Sequence, residues 1–130
     1  MLSYVFRYKF TILLAFLIVL LSLVPSSSIP STRIFNIPYL DKLVHFSMYA
    51  SIGFVALMEC SCRQKCLPSH ALLIMLLFLM SAVIEVLQAT VVATRAAEWL
   101  DLFANFAGLL AGYIAFRVLR ELRFLSFLRS

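Results

Sequence analysis

Asp41, His45 and Tyr49 stand four residues apart in the stretch DKLVHFSMYA, and Ile52 and Ala56 continue the same row. A helix turns about 100° per residue, so this spacing lines up a carboxylate, an imidazole and a phenol on one face. Farther along, Ser81, Glu85 and Gln88 share a face. Glu98, Asp101, Asn105, Gly108 and Gly112 then form a row with steps of 3, 4, 3 and 4. An imidazole beside carboxylates can move protons, hold a zinc ion or a harder cation through nitrogen and oxygen, or hydrogen-bond a polar head group.

Asp41, Glu85, Glu98 and Asp101 outnumber Lys42 and Arg95, with His45 neutral, so the group is slightly acidic. That balance favours a cation or a protonated carboxyl over a bare phosphate. Catalysis finds less support than binding. There is no H-E-x-x-H and no G-x-S-x-G. Ser47 and Ser51 project away from the His45 face, and a transmembrane serine usually bonds its own helix backbone. No cofactor is expected. A second set of possible metal ligands, Cys60, Cys62, Cys66 and His70, has the spacing C-x-C-x3-C-x3-H. This departs from the paired C-x2-C spacing of zinc sites, and free or acylated thiols are the simpler expectation.

The elements that must position these residues are helices in a membrane. The 130 residues are 64% hydrophobic and only 13% charged, with a mean hydropathy of +1.03. A soluble domain carries about 25% charged residues. Four apolar runs, roughly 8–24, 43–58, 71–92 and 99–118, are separated by charged or Pro- and Ser-rich segments. About 20 helical residues cross a hydrocarbon core of about 30 Å, and these runs are too long for barrel strands. The expected fold is therefore an all-α integral membrane protein with four transmembrane helices, about 5–24, 42–59, 71–92 and 99–118, in a single domain 1–130. The first run, with Arg7 and Lys9 before it, could pass for a signal peptide. No small-x-small site follows, so a retained helix is expected.

Arg7, Lys9, Arg63, Lys65, Arg117, Arg120, Arg123 and Arg129 fall on one side of such a bundle, and Arg33, Lys42 and Arg95 on the other. By the positive-inside rule both termini are cytoplasmic, and the net charge of +5 mainly sets this orientation. Nothing else supports a nucleic-acid partner. The basic tail can gain about 1 kcal/mol per basic residue near anionic lipid. The cysteine loop then lies on the reducing side, where disulfides are unexpected. Tyr39 and Trp99 suit interfacial anchors.

The same topology carries the polar rows of the last three helices to one level, at the outer leaflet. Ionisable residues inside a membrane cost about 2.5–3.5 kcal/mol each on insertion scales, whereas interhelical hydrogen bonds return only about 0.6 kcal/mol. A pocket for function explains such residues better than glue does. Gly108 and Gly112 make a G-x-x-x-G face suited to close helix packing, within the bundle rather than between chains.

The ordered set resembles the VanZ-like family of small bacterial membrane proteins. Its pattern, D-K-x-x-H-x-x-x-Y, then E-x-x-Q, an arginine, and D-x-x-x-N-x-x-G, is met by Asp41, Lys42, His45 and Tyr49, by Glu85 and Gln88, by Arg95, and by Asp101, Asn105, Gly108 and Gly112. The match spans about residues 40–115. The resemblance implies a multi-pass protein of a bacterial inner membrane, with membrane lipids and an amphiphilic envelope ligand or glycopeptide as partners. The family's founding member is associated with low-level resistance to teicoplanin, a lipidated glycopeptide. The cysteine-rich loop is not part of the family pattern.

Overall fold

The computed structural model describes residues 6–24, 39–61, 69–91 and 98–129, with side chains described as far as residue 122 in the last segment. They form four helices: α1 (Lys9–Ser22), α2 (Leu40–Ser61), α3 (His70–Val91) and α4 (Trp99–Arg129). Among the described residues there is no strand. Three stretches, Leu40–Ser61, His70–Thr90 and Trp99–Leu122, are long and apolar enough to cross a membrane.

Two helices differ in length from the expectation. At 14 residues α1 extends only about 21 Å at 1.5 Å per residue, short of a span. Phe6 and Arg7 are helical, but Tyr8 at φ −112°, ψ 32° interrupts the path before α1 begins. Conversely, α4 does not stop near residue 118. The tail from Arg117 is built from Leu, Val, Arg, Glu, Phe and Ser with no glycine or proline, so nothing in it ends a helix.

Each helix buries one stripe. Thr11, Ile18 and Ser22 face inward on α1, while Phe10, Leu13, Phe16, Leu17 and Leu20 are exposed as lipid-facing side chains should be. On α3 the buried row is Leu73, Leu77, Ser81, Ile84, Glu85 and Gln88. The exposed residues on α4 include Phe103, Phe106, Leu110 and Ile114. α2 is the centre, burying His45, Tyr49, Ile52, Gly53, Ala56, Leu57 and Cys60.

The α2–α4 pair is the most closely packed. A Cβ at Gly108 would fall on the carbonyl oxygen of Phe46 and lie 3.0 Å from Ala50 N; one at Gly112 would fall on the Ala50 carbonyl oxygen and 2.9 Å from Phe54 N. Only hydrogen at these two positions lets the backbones approach so closely, which fixes the register of α4 on α2. Leu109 fills the space over Gly53 in return.

Polar caps finish the ends. Ser69 Oγ accepts from Leu72 N at 3.2 Å at the start of α3. The start of α1 is served by another helix: Glu59 accepts from Phe10 N and Thr11 N at 3.0 Å each and from Thr11 Oγ1 at 2.7 Å. An α-helix begins with N–H groups that lack internal partners, and this carboxylate takes two of them.

Candidate functional site

The end of the bundle opposite Glu59 holds Asp41, Lys42, His45, Glu85, Glu98 and Asp101. Its outer layer centres on Lys42, whose Nζ lies 2.7 Å from Asp41 Oδ2, 2.8 Å from Asp101 Oδ1, and in direct contact with Glu98 Oε2. Asp41 and Glu98 are about half exposed, whereas Lys42 and Asp101 are mostly covered. Three carboxylates around one ammonium leave this layer net negative. Lys42 is held by the protein's own acids.

One turn deeper the network is buried. His45 Nδ1 and Asn105 Oδ1 are 3.0 Å apart, and Asn105 Nδ2 donates to Glu85 Oε1 at 3.4 Å. Glu85 Oε1 also lies 3.7 Å from His45 Nδ1. His45, Glu85 and Asn105 are 6%, 7% and 1% exposed, one from each of α2, α3 and α4. The helix rows explain the meeting: α2 and α4 start at this end and α3 finishes here. Close approach at Gly108 then brings Asn105, one turn earlier, against His45. Asp101 links the layers, since one side-chain atom each of His45, Glu85 and Asp101 lie within 4.8 Å of one another.

Gln88 turns elsewhere. Its Nε2 donates to the Ser22 carbonyl oxygen at 2.7 Å, tying α3 to the last turn of α1. Tyr49 is buried below His45, and Ser81 below Glu85. The two hydroxyls neighbour one another, yet neither makes a well-aligned hydrogen bond among the described residues. Arg95 lies outside the described residues.

The serine nucleophiles considered from sequence are engaged along their own helix. Ser47 Oγ donates to Leu43 O at 2.5 Å and Ser51 Oγ to Ser47 O at 2.8 Å, both on the exposed side. In the cysteine segment, Cys60 is disulfide-bonded, contrary to the expectation of free thiols there. A disulfide sulfur is not a thiolate, so Cys60 leaves the possible zinc set. Cys62 and Cys66 lie outside the described residues. His70 packs edge-on to Phe116 at 5.4 Å, with Nε2 3.4 Å from Ser61 Oγ.

Sequence reasoning missed two contributors. Glu59 has no polar neighbour on its own helical row, and only the position of α1 reveals its role. The Ser22 carbonyl carries no side-chain signal at all. Beside the charged layer, Phe78, Trp99, Leu102, Phe103 and Phe106 line an apolar groove of about 330 Å³, with Phe78 edge-on to Phe106 at 5.3 Å.

No curated protein and no solved structure matches the chain. A family model described as VanZ/LLP1 does, over residues 1–120. With that match spanning nearly the whole chain, and with the polar rows of α2, α3 and α4 meeting at one end, the chain belongs to the VanZ-like family.

Proposed function

We propose that this protein is a multi-pass inner-membrane protein with both termini in the cytoplasm, and that the Lys42–His45–Glu85–Asn105 end of its bundle binds the head group of an amphiphilic envelope molecule at the outer leaflet. The observation that carries the reading is the layering of the site. Half-exposed acids and Lys42 lie above a buried His–Asn–Glu network, and an apolar groove begins beside them at Trp99. A polar head can exchange partners with the outer layer while a chain lies along the aromatic side chains. The residues assigned to the site are Asp41, Lys42, His45, Tyr49, Glu85, Asp101 and Asn105, with Gln88 and Arg95 added by the family pattern. Teicoplanin, a lipidated glycopeptide, has this amphiphilic character, and protection against it is the phenotype the family suggests.

The test is teicoplanin and vancomycin susceptibility in a sensitive Gram-positive host. The host expresses wild type, Glu85→Gln or Asp101→Asn at matched membrane abundance. Teicoplanin tolerance from wild type alone supports the reading. Equal protection by all three excludes the ionised site as its origin, and no protection by wild type removes the antibiotic from the proposal.

A second reading has its own observation. His45, Asn105 and Glu85 satisfy one another, and Gln88 bonds α1, so the network can serve bundle assembly alone. Under that reading Glu85→Gln lowers thermal stability, and candidate envelope lipids shift the melting temperature of neither protein.

A further inference from the structure

We propose that His45, Glu85 and Asp101, with the Asn105 amide oxygen as a fourth donor, form a binding site for one divalent metal ion of borderline character, zinc being the probe. Donor atoms around an ion at about 2.1 Å lie about 3.0–3.4 Å apart at the edges of an octahedron or tetrahedron. Here His45 Nδ1 is 3.0 Å from Asn105 Oδ1 and 3.7 Å from Glu85 Oε1. An Asp101 carboxylate oxygen completes a set within 4.8 Å. The His45–Asn105 separation already equals such an edge, the His45–Glu85 separation is a few tenths of an ångström longer, and Asp101 must close further. One imidazole nitrogen with oxygen donors matches zinc or manganese better than a soft ion.

The surroundings suit the exchange. Asp101 is shared with Lys42, but Lys42 already contacts Asp41 and Glu98, so it keeps two carboxylates when Asp101 turns to the ion. Asp41, Glu98 and Asp101 also lie close together, but the Lys42 ammonium stands among them and occupies the place a cation would take. Asn105 turns its carbonyl oxygen toward His45 and its amide nitrogen toward Glu85, so the ion binds the tautomer of His45 that carries its proton on Nε2 and leaves the Nδ1 lone pair free. Tyr49, one turn below His45 and 1% exposed, closes the floor of the site, its hydroxyl beside that of Ser81.

The site stands independently of the amphiphile reading. Full-length protein in detergent, stripped with chelator and dialysed, is titrated with zinc by calorimetry, and bound metal is counted by elemental analysis. The expected result is one ion per chain, with affinity falling at least tenfold in Glu85→Gln and in His45→Gln. Asn105→Leu, which removes both a donor and the orienting amide, is expected to lose about 10–100-fold. Asp101→Asn is partly exposed, so it keeps the test open if a buried variant fails to fold, as judged by circular dichroism and elution volume. Cobalt in place of zinc should show visible ligand-field absorption that these variants lose. A triple Cys60→Ser, Cys62→Ser, Cys66→Ser variant should keep the ion. No uptake by wild type overturns the site, as does uptake that survives Glu85→Gln and Asp101→Asn but vanishes in the cysteine triple variant. Protection of cells from teicoplanin by wild type that takes up no zinc when purified would overturn the metal site and leave the amphiphile reading intact.

Discussion

Both ends of this bundle bury part of a carboxylate, and they use it differently. At one end Glu59 is spent on backbone: two amide protons and the hydroxyl of Thr11 at the start of α1 take up its oxygens. At the other, Glu85 and Asp101 face side chains from neighbouring helices, among them Lys42, His45 and Asn105. A carboxylate bound to amide N–H groups fixes a helix start and has little left to offer a ligand. One bound to side chains can change partners, because rotamers move where a helix terminus does not. Being acidic and embedded is therefore insufficient to mark a site; what the acid faces decides.

Four experiments probe how far the two ends differ, the most disruptive first. Gly108→Leu or Gly112→Leu should prevent the α2–α4 contact, because a Cβ there meets the Phe46 or Ala50 carbonyl oxygen and the backbones must separate. Overpacking typically costs about 1–3 kcal/mol and more where backbone must move, so loss of a cooperative thermal transition in detergent is expected. A normal transition would mean that the register of the polar end does not depend on these glycines.

Next, Asn105→Leu should lower stability by about 1–3 kcal/mol, since it removes a partner of both His45 and Glu85 inside the bundle. A double-mutant cycle with His45→Leu should show strong coupling. Additive effects would dissolve the network into independent contacts.

At the opposite end, Glu59→Ala should cost about 0.5–2 kcal/mol, the usual range for losing a helix N-terminal cap. Hydrogen exchange should quicken at the amides of Phe10 and Thr11 while those around His45 stay protected. Spread of the loss to α2 near His45 would show that the two ends are one cooperative unit. The smallest effect is expected from Glu98→Gln. Glu98 is about half exposed and Lys42 keeps Asp41 and Asp101, so the stability change should fall within about 1 kcal/mol. Differential scanning in detergent reads it.

Much of the polar end was legible in sequence, since four-residue steps place Asp41, His45 and Tyr49 on one face whatever surrounds them. The steps of 3 and 4 from Glu98 to Gly112 work alike, and alternating helix directions bring three rows to one level. Helix limits were less legible. The charged tail after Arg117 dilutes the apolar run, yet backbone hydrogen bonding continues through it to Arg129. The first run reaches span length only when counted from about Tyr4, and α1 is a 14-residue helix started by a carboxylate from a different helix. Local periodicity carries no record of such partners.

The sequence alone thus determined that the chain is a set of apolar helices, which faces turn inward, and that costly side chains share a level, because these follow from helical geometry and the energetics of burial. Which side chains meet is settled in three dimensions, by helix packing. It gave Lys42 to three acids, set Asn105 between His45 and Glu85, turned Gln88 to Ser22, and assigned Glu59 to α1. Those choices depend on the depth and rotation at which helices interlock. At Gly108 and Gly112 a missing Cβ sets that depth.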